Sequence, residues 1–140
     1  MGLASPYPKS AARGGTDVTS TDYFIRMKST GKLEVEFSYF AAPGVDPATG
    51  STFTAENNAW AMVTDVTDGS PAQLPILFTR NIDGGNALDP ANGHQLDGAI
   101  EPFRGEGSVV VYFGGSASKL TSDAMLLFNP TGQSNEVLRP

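Results

Sequence analysis

Glycine and proline interrupt this chain so often that no regular element can run far. Sixteen glycines and ten prolines stand among 140 residues, and each tends to end a helix or strand or to turn the chain. The expected fold is therefore a modest core of short elements wrapped in long loops. A chain of this length fits one domain, whose core can bury roughly two thirds of the surface exposed by the unfolded chain.

Between the breakers, local patterns assign the elements. Residues 1–20 read as an irregular lead-in, because Pro6, Pro8 and Gly14-Gly15 oppose regular structure. A short helix follows. Ser20 or Thr21 can cap it, Asp22 and Lys28 suit its two ends, and Gly31 stops it. Tyr23, Phe24 and Met27 form its apolar face. Leu33 to Tyr39 alternates strictly and predicts a half-buried strand, with Leu33, Val35, Phe37 and Tyr39 on one side. Residues 43–58 read as a loop.

Ala59–Val66 suits either a helix or a strand, and its turn-rich flanks favour a strand. Pro75–Arg80 predicts another strand, with Pro75 at its start or on an edge. Residues 81–107 form a long loop of the kind that is functional or held by something bound. The sharpest signal is Ser108–Phe113, then Gly114-Gly115, then Ser116–Leu120. It predicts a hairpin with a tight two-residue turn. The tail, residues 121–140, carries one apolar knot at Met125–Phe128 and otherwise reads as loop. The expected class is α+β: a small antiparallel β-sheet with one short helix and long loops, a single domain over residues 21–140.

Charge and composition narrow the function. The net charge is −6 with nine Lys and Arg, so no basic stripe is available to neutralise phosphates or anionic lipid heads. Nucleic acid is not an expected partner. The absence of cysteine removes disulfides, thiolate zinc sites and a cysteine nucleophile. No stretch approaches the roughly 18 to 20 apolar residues that span a bilayer.

Reactive residues are sparse. His94 is the lone histidine and reads as a solvated loop residue. A hydrolase would need it to meet Asp97 or Glu101 in a cleft. No serine sits in a G-x-S-x-G elbow. Glu34 and Glu36 can be paired acids but fit better as the wet face of a strand. Lys119 lies beyond the Gly114-Gly115 turn, where a phosphate cradle would need a helix to begin. Asp83, Asp89 and Asp97 lie in a loop able to wrap calcium, although the spacing is not that of an EF-hand. Trp60 and Tyr112 offer stacking surfaces for a sugar, with Trp60 reading better as core. No catalytic, cofactor or metal residue is assigned, and the chain is not expected to be an enzyme.

The order of several segments carries a resemblance. These are Ser20–Phe24, Phe37–Gly44, Glu56–Val63, Pro75–Asn81 and Gly107–Ala117. From about Tyr7 to the C-terminus the series resembles the soluble head of prepilin-like proteins related to type II secretion pseudopilins. The resemblance implies a structural subunit of a type II secretion or type IV pilus-type filament. Its partners would be other pilin-like subunits or copies of itself, at the periplasmic face of the bacterial inner membrane or cell envelope. It also implies a cleaved leader and a long apolar N-terminal helix against which the sheet packs. Neither is present in residues 1–140, so residues 1–20 read as a stub after that helix, and membrane contact would run through it alone. Without the helix, the Leu33/Val35/Phe37 side is expected to expose an apolar face and promote weak dimerisation. Calcium binding in some pseudopilins leaves a calcium loop open here. The rival expectation is a secreted or surface carbohydrate-binding module that uses Trp60 and the 81–107 loop.

Overall fold

The computed structural model describes residues 7–90, 93–121 and 127–140. Its centre is a six-stranded antiparallel sheet, crossed on one face by helix α1 (Ser20–Ser29). The strands are β1 (Trp60–Val63), β2 (Pro75–Thr79), β3 (Ala87–Leu88), β4 (Ser108–Tyr112), β5 (Ala117–Leu120) and β6 (Asn135–Leu138). Their spatial order is β3-β6-β1-β2-β4-β5. The α+β class expected from the sequence is the observed one.

Side-chain alternation along the strands divides the core in two. Ala61, Val63, Phe78, Val110 and Val137 point to one face, where Leu88 of β3 and Val66, Leu74, Ile82 and Leu127 from the loops cover them. Met62 and Leu138 point to the other, beneath Tyr23 and Phe24 of α1 and the rings of Phe37, Phe40 and Phe53. With both faces of β1 covered, Ala61, Met62 and Val63 are all buried. This removes the polar alternation that marks a half-exposed strand.

Helix α1 starts differently from the sequence expectation. Its cap is Thr19, whose Oγ1 accepts the Asp22 N–H at 3.0 Å. Ser20 and Thr21 are buried and turn toward the sheet instead. Asn58 donates from Nδ2 to both hydroxyls, at 3.0 and 3.1 Å, and Ser20 Oγ donates to the Trp60 carbonyl at 2.7 Å. The Asn58 Oδ1 accepts the Trp60 N–H. These buried groups satisfy one another, which fixes the helix start against β1.

Residues 33–39 form no strand. Phe37–Phe40 is a 3-10 turn, and residues 34–36 are exposed. A 3-10 turn aligns residues three apart, so Phe37 and Phe40 enter the core together while Tyr39 stands 73% exposed. Ring packing decides the outcome: Phe37 stacks on Phe53 at 4.6 Å and Phe40 on Phe24 at 4.4 Å. The expected apolar face of Leu33, Val35 and Phe37 is thereby dismantled.

Three further differences stand out. A 3-10 turn, Ala11–Arg13, lies in the lead-in read as irregular. The lead-in is also docked, since Asp65 N–H donates to Pro8 O and Ser10 N–H to Asp65 Oδ1. The β4–β5 hairpin is present, but its loop has three residues. Tyr112 N–H donates to Ser116 O and Gly115 N–H to Tyr112 O, with Gly115 at φ +94°. That pattern is a turn followed by a left-handed residue, for which glycine is suited. The largest departure is β6, in a tail read as loop. Four residues suffice because Met62↔Leu138 and Ala87↔Glu136 pair it on both sides. Of the apolar knot, Met125 and Leu126 lie outside the described residues.

Because Leu138 is buried in an interior strand, Leu138→Ala is expected to cost about 2 to 5 kcal/mol of unfolding free energy. Urea denaturation checks this, and a loss below about 0.5 kcal/mol, typical of a surface change, would contradict an interior β6.

Candidate functional site

The sequence directs attention to the 81–107 loop, to Trp60 and Tyr112, and to His94 with its neighbouring acids. The 81–107 segment is not all loop, since it contains β3 and a 3-10 turn at Phe103–Gly105, and it is tied by its own chain. Asn81 is fully buried, and its Nδ2 donates to the carbonyls of Pro102 (2.9 Å) and Gly107 (2.7 Å). Its own carbonyl accepts the Asp97 N–H at 2.7 Å. One side chain thus joins the two ends of the loop.

His94 is not solvated. It is 6% exposed, and its Nε2 accepts the Asp89 N–H at 3.0 Å. An accepting Nε2 places the ring proton on Nδ1 in the neutral tautomer. Nδ1 lies 3.9 Å from Asp83 Oδ1. Gly84 makes room for the ring, because a Cβ there would fall 2.0 Å from Nδ1. The His94 backbone also exchanges two hydrogen bonds with Leu127. The imidazole therefore works as a loop anchor.

The acids are dispersed among turns. Asp83 Oδ1 accepts the Gln95 N–H at 2.9 Å, and Asp97 Oδ1 accepts the Ala99 N–H at 3.0 Å. The Glu101 carboxylate lies over Gly44, where a Cβ would be 2.0 Å away. Neither Asp97 nor Glu101 is brought to His94 as a hydrogen-bond or ion-pair partner among the described contacts. Among the described residues, no three His, Asp or Glu side chains gather where they could hold a metal ion. Glu34 and Glu36 are exposed and lie outside any strand.

Trp60 and Tyr112 face opposite sides of the sheet. Trp60 packs with the α1 cluster, whereas Tyr112, Ile82, Leu88 and Leu96 belong to the other. Trp60 and the apolar residues of the loop therefore do not make one platform.

Two half-buried arginines were given no role by the sequence. Arg139 donates to the carbonyls of Gly85, Arg80 and Asp83, with its guanidinium over the Phe78 ring. Burial lowers its pKa, while the Asp83 carboxylate opposes that shift. Arg80 donates to the carbonyls of Glu101, Ala55 and Asn58. Burial likewise lowers its pKa, opposed by Glu101 and Glu56. A planar fork of donors suits this gathering of backbone oxygens.

The α1 face of the sheet is unevenly covered. Leu138 and Met62 are buried under α1 and the phenylalanine rings, and Leu77 is half-buried. The register continues the row across Leu77↔Val111 and Val111↔Ala117, and Val109↔Lys119 lies beside it. Val109 and Val111 are half-buried, and Ala117 and Lys119 are exposed. An apolar strip thus opens toward β5, away from α1.

Comparison with protein-family models, curated proteins and solved structures finds no match. No helix among the described residues is long and apolar enough to cross a membrane.

Two measurements probe these environments. Burial, with smaller contributions from Asp17 and Tyr7, pushes the Tyr23 phenol from 10.0 up to about 12, against the pull of Arg26. A raised phenol pKa favours the neutral form in the fold. Its stabilisation is complete below pH 10 and is lost as pH rises through about 12. Tyrosinate absorbance should show one tyrosine ionising later than an exposed phenol, and Tyr23→Phe should remove that late step. Separately, His94→Ala takes away the acceptor of the Asp89 N–H and should cost about 2 kcal/mol. A neutral effect on thermal unfolding would refute the anchor role.

Proposed function

We propose that this chain is a structural, pseudopilin-like subunit of a type II secretion or type IV pilus-type filament, acting through contact surfaces and not catalysis. The observation that supports this reading is the apolar strip of Leu77, Val111 and Ala117, with Val109 beside it, left open next to α1. A row of half-buried and exposed apolar side chains on a sheet gains free energy when another element covers it. In a filament subunit, a long packing helix or a neighbouring subunit would do so. For the head alone, the occupant is a second copy. Edge strand β5, which carries Lys119, borders the strip. Lysine on an edge limits runaway strand pairing, which suits limited contact better than open aggregation. Location at the periplasmic face of the inner membrane or in the cell envelope belongs to the same proposal.

The test is sedimentation velocity across a rising concentration series. Wild-type protein should shift toward a dimer, while Val111→Glu, which places a charge in the strip, should sediment as a monomer throughout. A wild type that stays monomeric at high concentration would count against assembly through this face. The genomic reading frame gives an independent check: codons for a short basic leader followed by about 20 apolar residues are expected upstream. An ordinary signal peptide there would favour a secreted binding module instead.

A further inference from the structure

The face of the sheet opposite α1 carries a cleft of about 500 Å³ beside the β4–β5 hairpin. Its walls include Tyr112, Ser116 and Ser118 from the hairpin, Gln73 from the turn before β2, and Phe128 from the segment leading to β6. Among the described residues that line it, none is Asp, Glu, Lys, Arg or His. In a chain of net charge −6, such a lining favours a neutral ligand over an ionic one.

The walls are fixed by hydrogen bonds. Phe113 N–H donates to Leu74 O and Gly114 N–H to Ala72 O, at 2.8 and 2.9 Å. The hairpin tip lies so close to this turn that a Cβ on Gly114 would meet the Ala72 Cβ at 2.9 Å. On the opposite wall, Leu127 is held by its two bonds to His94. Asn129 is buried, and its Nδ2 donates to Leu88 O, Gln133 O and Asn135 Oδ1. Phe128 stands between these two anchored residues and is 52% exposed. Its ring is presented to water between them.

An outward aromatic ring on anchored backbone, facing hydroxyl and amide groups across a neutral cleft, matches a ligand with an apolar ring face and polar edges. We infer that this cleft binds a neutral saccharide, with one pyranose face on Phe128 and its hydroxyls hydrogen-bonded by Ser116, Ser118 and Gln73. The backbone bonds on both walls lower the entropy cost of capture by limiting the ordering that binding requires. The site lies on the face opposite the apolar strip and does not depend on the assembly reading.

The experiment is an amide NMR titration of the whole chain with cellobiose, maltose and N,N′-diacetylchitobiose, each taken to tens of millimolar. At least one should give saturable shifts centred on Tyr112, Ser116, Ser118 and Phe128. Loss of the stacking ring in Phe128→Ala should weaken that binding about tenfold. The exposed position should leave the thermal midpoint unchanged, and Ser118→Ala provides a second variant with a several-fold loss expected. Absence of saturable shifts with all three sugars, shifts centred elsewhere, or equal affinity in both variants would overturn the assignment.

Discussion

Strand β6 comes from nearly the last residues of the chain yet lies inside the sheet, paired with β1 on one side and β3 on the other. Val137 and Leu138 send their side chains into the two separate cores, so this one strand joins both halves of the molecule. The residue after it continues the role. Arg139 gathers three carbonyls from residues 80–85, and its own carbonyl accepts the Ser20 N–H at the start of α1. Helix, sheet and long loop therefore converge on a five-residue stretch.

The local patterns that could be read were those with one dominant cause. The β4–β5 hairpin announced itself through a valine run and two glycines, and α1 through charged ends and an aromatic face. Residues 33–39 misled because a period of two and a period of three share Phe37, and the sequence alone does not show Phe53 and Phe24 waiting to stack on Phe37 and Phe40. Thr19 displaced Ser20 as the cap for a similar reason: Asn58, 38 positions away, recruits the Ser20 hydroxyl. Strand β6 was unreadable because Asn135, Glu136, Val137 and Leu138 give two polar residues and then two apolar ones. Only neighbours on both sides make that run a strand.

The same divide between local and distant causes applies to the site residues. Sequence reasoning placed His94 in water, since glycine and asparagine surround it. The structure buries it because Gly84 leaves space and Leu127 supplies a backbone partner. Asp83 and Asp97 were plausible oxygen ligands, but each is engaged by a nearby backbone N–H. Phe128 was seen as part of an apolar knot. Its outward presentation depends on Asn129 and Leu127 being anchored by contacts far along the chain, which no local pattern reports.

A central strand drawn from residues 135–138 also constrains the order in which the sheet can assemble. The β4–β5 hairpin can form early, because its pairing is local. Strands β1 and β3 each gain a neighbour only when β6 reaches them from far along the chain. Cooperative closure of the sheet therefore depends on its least local pairings.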